Sequence, residues 1–400
     1  MPEIDMTAES PRPCPICGAK DWHSVYRQRF IDGPLGEGYD VVVCSQCGAG
    51  FADGIPPQAE MDRYYAEQSK YAYEHSGGNE SPWDFRRFET TFAQVAPYLP
   101  SHEARIIDIG CATGGLLSVF KKHGFLNLLG ADPSAACAKA AKRLHGVEVI
   151  PATLSQLSAI EERFDLAFMV GVLEHLRDVR QAIGIVSRLL KPGGLLYCAV
   201  PDVEGLADCS NAPYQQFSVE HVNFFSSASL RRLMAECFMG PVNSWRWTVE
   251  WRENVWEPIA SGLYKITSHP VRMFDDSTGA ALARYLSISR DEDQKILTRI
   301  ESLRKSQEPI LVWGAGTLAR RLLAATALAE TNIAAFVDSN SSLHGQTLAN
   351  RRIIGPAEIA GRKESILICS IAFEKEIAGE IGSRYGLTNR VISLLGDDAR

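Results

Sequence analysis

Residues Ile106 to Leu117, reading I-I-D-I-G-C-A-T-G-G-L-L, constrain the fold of this chain more than any other stretch. An apolar pair enters Asp108, the small residues Gly110, Ala112 and Gly114 recur at every second position, and Leu116, Leu117, Val119 and Phe120 follow at helical spacing. That pattern predicts a strand, a tight turn and a helix. Glycine removes the side chains that would keep a ligand off the backbone, and the start of a helix offers N–H groups without helical partners. The spacing D-x-G-x-A-x-G differs from the G-x-G-x-x-G of dinucleotide folds, and no lysine of a phosphate-binding loop follows it, which argues against nucleoside triphosphates.

Twenty-four residues after Asp108, Asp132 stands in G-A-D-P-S after the apolar run Leu126 to Leu129. In a βαβ unit an acid at the end of the second strand lies beside the first turn, where a carboxylate accepts both hydroxyls of a ribose. Two strand-end acids so spaced read as an adenosine pocket. Phe164 to Val170 predicts another buried strand, Leu173-Glu174-His175-Leu176 the start of a helix, and Leu189 to Tyr197 a helix end, a turn and a further strand.

Taken together, D-I-G-C-A-T-G, A-D-P-S, F-D-L-A-F-M-V-G-V-L-E-H-L and L-L-K-P-G-G-L-L-Y, in this order, resemble the class I S-adenosylmethionine-dependent methyltransferases. The resemblance implies an α/β, Rossmann-like domain in which Asp108, Gly110 and Gly114 line the methionine side of the cofactor and Asp132 takes the ribose. Ala112 of the same turn and Leu154 complete the candidate cofactor residues. Leu154 belongs to A-T-L-S, which stands where the family carries an acid near the adenine. The plain alternative is a Rossmann-like fold that kept its shape and lost its ligand.

Four hundred residues exceed one hydrophobic core and predict two or three domains. A formal charge of −7 offers no basic field for a phosphate backbone, so nucleic acid is not expected as a partner. No run of eighteen apolar residues occurs, and the polar N-terminus lacks the basic and apolar regions of a signal peptide. The expectation is therefore a cytoplasmic protein without membrane attachment. Six of the ten cysteines are scattered and read as small core residues. The other four form two knuckles, Cys14-Pro-Ile-Cys17-Gly and Cys44-Ser-Gln-Cys47-Gly, flanking Val41 to Val43. Each knuckle presents two thiolates from one turn, and two knuckles close a tetrahedral sulfur shell suited to structural Zn²⁺. A redox C-x-x-C is the rival reading, but it belongs at a helix start in a thioredoxin-like unit.

Residues 51–100 are rich in aromatics, among them Tyr64, Tyr65, Tyr71, Tyr73 and Trp83, which either pack the cysteine module onto the next domain or cover the transfer site. Ser76 to Asn79 reads as a loop, and a helix is expected over Asp84 to Tyr98. Further on, Glu220-His221 lies between the strand ending at Pro201 and a helix expected over Ser229 to Cys237. His221 is the candidate general base and Glu220 the residue that orients or charges its imidazole. The plain reading is that His221 hydrogen-bonds its own loop while Ser226 caps the helix. Trp245, Trp247, Trp251 and Trp256 read as an edge strand or interface, or as a stacking platform.

Near the end, Ile310 to Trp313, the G-A-G-T-L-A turn and Asp338 form a half-Rossmann fingerprint. A cysteine module, a methyltransferase domain and a terminal α/β domain in this order resemble the sugar C-methyltransferases that act on nucleotide-linked keto-sugars. Glu220, His221 and Ser226 match that family's Y-H-E-H-x-x-Y-x-S stretch. Ser218 and Phe224 stand at its tyrosine positions, Arg320 stands where a lysine is expected, and no H-G-G-S segment precedes the linker helix. The expected division is a zinc module over 1–60, a methyltransferase domain with a helical lead-in over 61–240, a linker and amphipathic helix over 241–305, and a smaller Rossmann-like domain over 306–400. The function implied is methyl transfer to a small molecule, foremost a carbon of a nucleotide sugar. The alternatives are a sugar or small-molecule O-methyltransferase and a non-catalytic S-adenosylmethionine-binding scaffold.

Overall fold

The computed structural model describes residues 12–67, 80–209 and 211–396. Tyr71, Tyr73 and the loop Ser76 to Asn79 lie outside them. The chain begins with three antiparallel strands, β1 (Trp22–Arg29), β2 (Gly38–Cys44) and β3 (Gly50–Asp53), followed by helix α1 (Gln58–Glu67). Helix α2 (Pro82–Val95) starts at a capping box in which the Ser81 hydroxyl accepts the Asp84 N–H and Asp84 accepts the Ser81 N–H. It buries Phe88 and Val95 against the next unit and leaves Phe85 outside.

That unit alternates strand and helix: β4 (Ile106–Ile109), α3 (Gly115–Lys122), β5 (Leu128–Asp132), α4 (Ala135–His145), β6 (Val149–Pro151), β7 (Phe164–Val170), α5 (Val179–Leu189) and β8 (Leu190–Pro201). The apolar runs read from the sequence become parallel strands whose inward residues are sealed, with Ile106, Leu166, Phe168 and Tyr197 all at 0 % exposure. Leu173 to His175 forms a single 3-10 turn rather than the start of a helix; α5 begins four residues later.

After β8 the chain makes a two-residue strand, β9 (Asn223–Phe224), which leaves this unit to pair antiparallel with β3. The first sheet is therefore ordered β1-β2-β3-β9 and is closed by a strand far along the chain. Arg12 fastens the junction: its guanidinium, 4 % exposed, donates to the carbonyls of Ala52, Val222 and Arg177 and to Oδ1 of Asn223.

Helix α6 (Ser227–Glu236) starts at Ser226, whose hydroxyl accepts the Ser229 N–H at 3.0 Å, as its plain reading requires. Strands β10 (Met239–Arg252) and β11 (Val255–Ile266) then form a long hairpin. The expected boundary at residue 240 needs correction here, because both strands belong to the central sheet, ordered β10-β11-β8-β7-β4-β5-β6. β11 inserts antiparallel between β8 and β10. Trp245 and Trp247 cover the core from β10, and Trp247 Nε1 donates to Ser261, which is the edge-strand role and not a stacking platform.

Helix α7 (Thr278–Ser306) is far longer than the amphipathic segment expected over Asp291 to Lys305 and leads to the last unit. There β12 (Ile310–Trp313), α8 (Thr317–Ala325), β13 (Ile333–Val337), β14 (Thr347–Leu348), β15 (Arg351–Ile354), β16 (Ser365–Ile368), α9 (Glu374–Ser383) and β17 (Val391–Ile392) build a sheet ordered β14-β15-β13-β12-β16-β17. It is parallel apart from the β14–β15 pair and has an apolar core on each face. No helix among the described residues is long and apolar enough to cross a membrane.

Candidate functional site

In the central sheet the strand order reverses between β4 and β7. A parallel α/β sheet binds ligands in the crevice outside the carboxyl ends of its strands at such a point. The turn after β4 has the backbone its sequence foretold: Gly110 and Gly114 sit at φ of 73° and 80°, and Ala112 is a non-glycine residue at 48°. A Cβ on Gly110 would stand 2.6 Å from Val172 of the turn after β7, so glycine is required for the two strand ends to meet.

Asp132, at the end of β5, accepts the Ala112 N–H with one oxygen at 3.0 Å and the Ser134 N–H with the other at 2.9 Å. Each carboxylate oxygen offers a second lone pair, so a ribose is not displaced by these bonds. Asp108 lies beneath the same turn at 3 % exposure. Burial, then the neighbouring Asp132 charge, push its carboxyl up to about 7. Asp132 is raised in the same direction, chiefly by burial. Two reluctant carboxylates facing one crevice suit a cationic ligand. Leu154 lies half-buried just past β6, at the same end of the sheet. Glu80, which no sequence motif marks, adds a third acid: it accepts Thr113 Oγ1 at 2.5 Å and meets His145 Nε2 at 2.9 Å, and against the upward push of burial these bonds hold it below the usual glutamate range.

The Asp108 shift has a measurable consequence. Between pH about 4 and about 7 the folded chain keeps a proton on Asp108 that the unfolded chain has released, so stability from this group falls as pH rises across that window, by on the order of 4 kcal/mol in full. Asp108→Asn is expected to flatten that part of the slope in urea melts at pH 5 and pH 8. Equal slopes for the two proteins would mean that Asp108 ionises normally.

One strand over, a second set of side chains converges. The loop carrying His221 is pinned from both sides: Gln28 and Tyr39 of the first sheet donate to the carbonyls of Phe217 and Ser218, and Tyr285 and Ser289 of α7 accept the Gln216 and Tyr214 N–H groups. Ser218, at one of the tyrosine positions of the resembled family, accepts the Glu220 and His221 N–H groups with its hydroxyl. Asn223 ties this loop to the turn after β7, donating to Leu173 and Leu176 at 2.7 Å each. His175 on that turn lies edge-on to His221, ring centroids 4.8 Å apart. One donor atom from each of Glu174, His175 and His221 lies within 4.8 Å of the others.

Helix α1 supplies two hydroxyls. Tyr64 donates to Glu220 at 2.8 Å, and Tyr65 lies 2.9 Å from His175 Nδ1. His221 Nδ1 meets Gln216 Oε1 at 3.1 Å, so the plain reading of a histidine bonded within its own loop is present in the geometry. Glu220, expected to orient the imidazole, takes the Tyr64 hydroxyl, and the side-chain bond to His221 Nδ1 comes from Gln216. His175, Tyr64, Tyr65 and Gln216 were not foreseen as a group. Only the H of L-E-H-L and the tyrosine pair hinted at them.

The four knuckle cysteines meet at a separate point. The Gly18 and Gly48 N–H groups donate to the carbonyls of Cys14 and Cys44 at 2.9 Å, closing two like turns with both glycines near φ 80°. A Cβ on Gly48 would strike the Asp275 carbonyl at 1.7 Å. Cys14–Cys47 and Cys17–Cys44 sulfurs are 3.6 Å apart, and all four lie within 4.8 Å of one another without a disulfide among them. A metal with bonds of about 2.3 Å to four sulfurs has tetrahedral edges of about 3.8 Å, so the set fits a metal ion.

A family model described as "Methyltransferase domain" matches residues 83–237, and one described as "C2185-like, N-terminal" matches residues 306–392. Among curated relatives, the ubiquinone biosynthesis O-methyltransferase of Bradyrhizobium sp. (strain ORS 278) is 38% identical over 97 residues, 23% of this chain and 38% of its own length. The protein of the same name from Rhizobium rhizogenes (strain K84) is 34% identical over 105 residues, covering 25% and 42%. The chain thus spans about two-fifths of these relatives. Among solved structures, the 1,6-didemethyltoxoflavin-N1-methyltransferase of Burkholderia thailandensis, with bound 1,6-didemethyltoxoflavin and S-adenosylhomocysteine, is 17% identical with a TM-score of 0.39, covering 56% of this chain and 96% of that one. The glycine turn between two strand-end acids and the matching model agree: residues 83–237 are a class I S-adenosylmethionine-dependent methyltransferase domain.

Proposed function

We propose that the chain is an S-adenosylmethionine-dependent methyltransferase whose acceptor is a small molecule that must lose a proton, with His221 taking that proton. What carries this reading is the convergence, at one end of one sheet, of the Asp108–Asp132 turn and the His175–His221 cluster on the neighbouring strand end. The cofactor supplies an electrophilic methyl group. Asp132 holds the ribose, and Asp108 with the glycine turn receives the methionine end. Little activation of the methyl is needed; the acceptor's proton needs a base, and histidine near neutrality suits that task.

The finer reading, a carbon of a nucleotide-linked keto-sugar, draws support from the order of the three units along the chain. O-methylation is the second reading, favoured by the relatives' own name and by Ser218 and Phe224 standing where the C-methylating family carries tyrosines. Tyr64 and Tyr65 bring hydroxyls to the same cluster from α1, which serve either reaction. The four cysteines are read as a structural zinc site.

Calorimetry with S-adenosylhomocysteine tests the cofactor assignment. Asp132→Ala is expected to weaken binding tenfold or more, about 1.4 kcal/mol or above, and unchanged affinity would remove Asp132 from the ribose. Mass spectrometry after incubation with labelled methyl donor and a panel of keto-sugar and unmodified sugar nucleotides and phenols then separates carbon from oxygen acceptors. Cofactor binding without product on any of them would favour the scaffold.

A further inference from the structure

The amide of Gln216 is held from both ends. Its Nε2 donates to a carboxylate oxygen of Glu257 on β11 at 3.3 Å, and its Oε1 faces His221 Nδ1 at 3.1 Å. A carboxylate accepts only, so Glu257 dictates which end of the amide points toward it, and the other end, facing the imidazole, must be the oxygen. An amide oxygen also accepts only. The proton between it and the ring therefore sits on Nδ1. In the neutral imidazole this leaves the lone pair on Nε2.

We propose that Gln216, itself oriented by Glu257, is the positioning residue that fixes His221 in the tautomer whose Nε2 is basic. This rests on the reading of His221 as proton acceptor. The arrangement is a relay of orientation without a relay of charge: the carboxylate that sets the direction stays one amide away from the ring. The Gln216 backbone is held independently, its N–H donating to Tyr285 of α7 at 3.1 Å, so the side chain starts from a fixed point. Neither Gln216 nor Glu257 needs to touch an acceptor or the cofactor.

Nitrogen-15 shifts of the His221 ring in labelled wild-type protein, identified by the resonance lost in His221→Ala, test the tautomer directly. The expected result is Nδ1–H as the major neutral form, with the two forms approaching parity in Gln216→Ala. On activity, Gln216→Ala is expected to lower kcat tenfold or more with KM for S-adenosylmethionine unchanged. The exchanged pair Gln216→Glu with Glu257→Gln should restore most of that kcat, since the carboxylate at 216 accepts from Nδ1 and from the amide now at 257. It should move the acid limb of the kcat profile up by about one pH unit or more, because a carboxylate favours the charged imidazolium. Glu174, His175 and Glu220 also face or adjoin His221, and Glu257 reaches it through the amide. Glu174, His175 and Glu220 are unchanged in that comparison, so the displacement of the limb reports the carboxylate brought to position 216. A wild-type ring protonated on Nε2, or a Gln216→Ala protein with the wild-type tautomer ratio, would overturn the proposal. Full turnover in His221→Ala would instead overturn the base assignment while leaving the tautomer result standing.

Discussion

Replacing Cys47 with serine is expected to release a bound zinc ion and unfold the first sheet. Structural zinc contributes on the order of 10 kcal/mol to the folding of small modules, and the knuckle end of the first sheet is held by the four cysteines, while its apolar core is shared with the His221 loop and α7. Elemental analysis should find one zinc per wild-type chain and none in Cys47→Ser, and limited proteolysis of the variant should open the chain before Pro57. Turnover should fall as well, although Cys47 belongs to the knuckles and not to the methyltransferase crevice. The cause is β9, whose pairing with β3 starts two residues after His221. Wild-type protein that carries no metal, and whose melting is indifferent to chelators, would dismiss the zinc reading.

The second large effect is expected at the base itself. His221→Ala should cut turnover by about 10²-fold or more while leaving affinity for S-adenosylhomocysteine at the wild-type value, because the ring is assigned to proton removal and not to cofactor binding. The loop should survive the change, since Gln28, Tyr39, Tyr285 and Ser289 hold its backbone without the imidazole. Rapid-quench turnover and calorimetry on the same preparation separate the two quantities. Unaltered turnover would pass the role to another group, and His175, in ring contact with His221, would be next to test.

What the sequence disclosed follows how local each feature is. The turn at Gly110 to Gly114 and the acid at Asp132 were legible because a strand, a turn and a strand-end acid are written in consecutive residues with their own periodicity. The knuckles were legible for the same reason: a positive φ after each cysteine pair needs glycine, and glycine is there. The cluster around His221 was not, because its members come from α1, the turn after β7, the loop before β9 and, through Gln216, the hairpin strand β11. Only the folded sheet brings these together. The hairpin falls within the stretch 241–305 expected to be a linker, although its tryptophans read as an edge strand. Alternation around Trp245 and Trp247 signals a strand, yet nothing in a single strand's pattern states that its partner will insert antiparallel beside β8. Glu220 shows the same dependence on the fold: its side-chain partner is Tyr64 of α1, a residue far away in sequence.

The crossing of β9 into the first sheet also bears on how such a protein can be taken apart. A cut at residue 60 would look like a clean excision of a small metal module, yet it would strip the partner from Asn223 and Phe224 and leave the carbonyl of Val222 without the Arg12 guanidinium that reaches it. The two units are interlaced like clasped fingers rather than strung like beads. Recombination or engineering that exchanges the N-terminal module must therefore transplant the stretch from Tyr214 to Ser226 along with it.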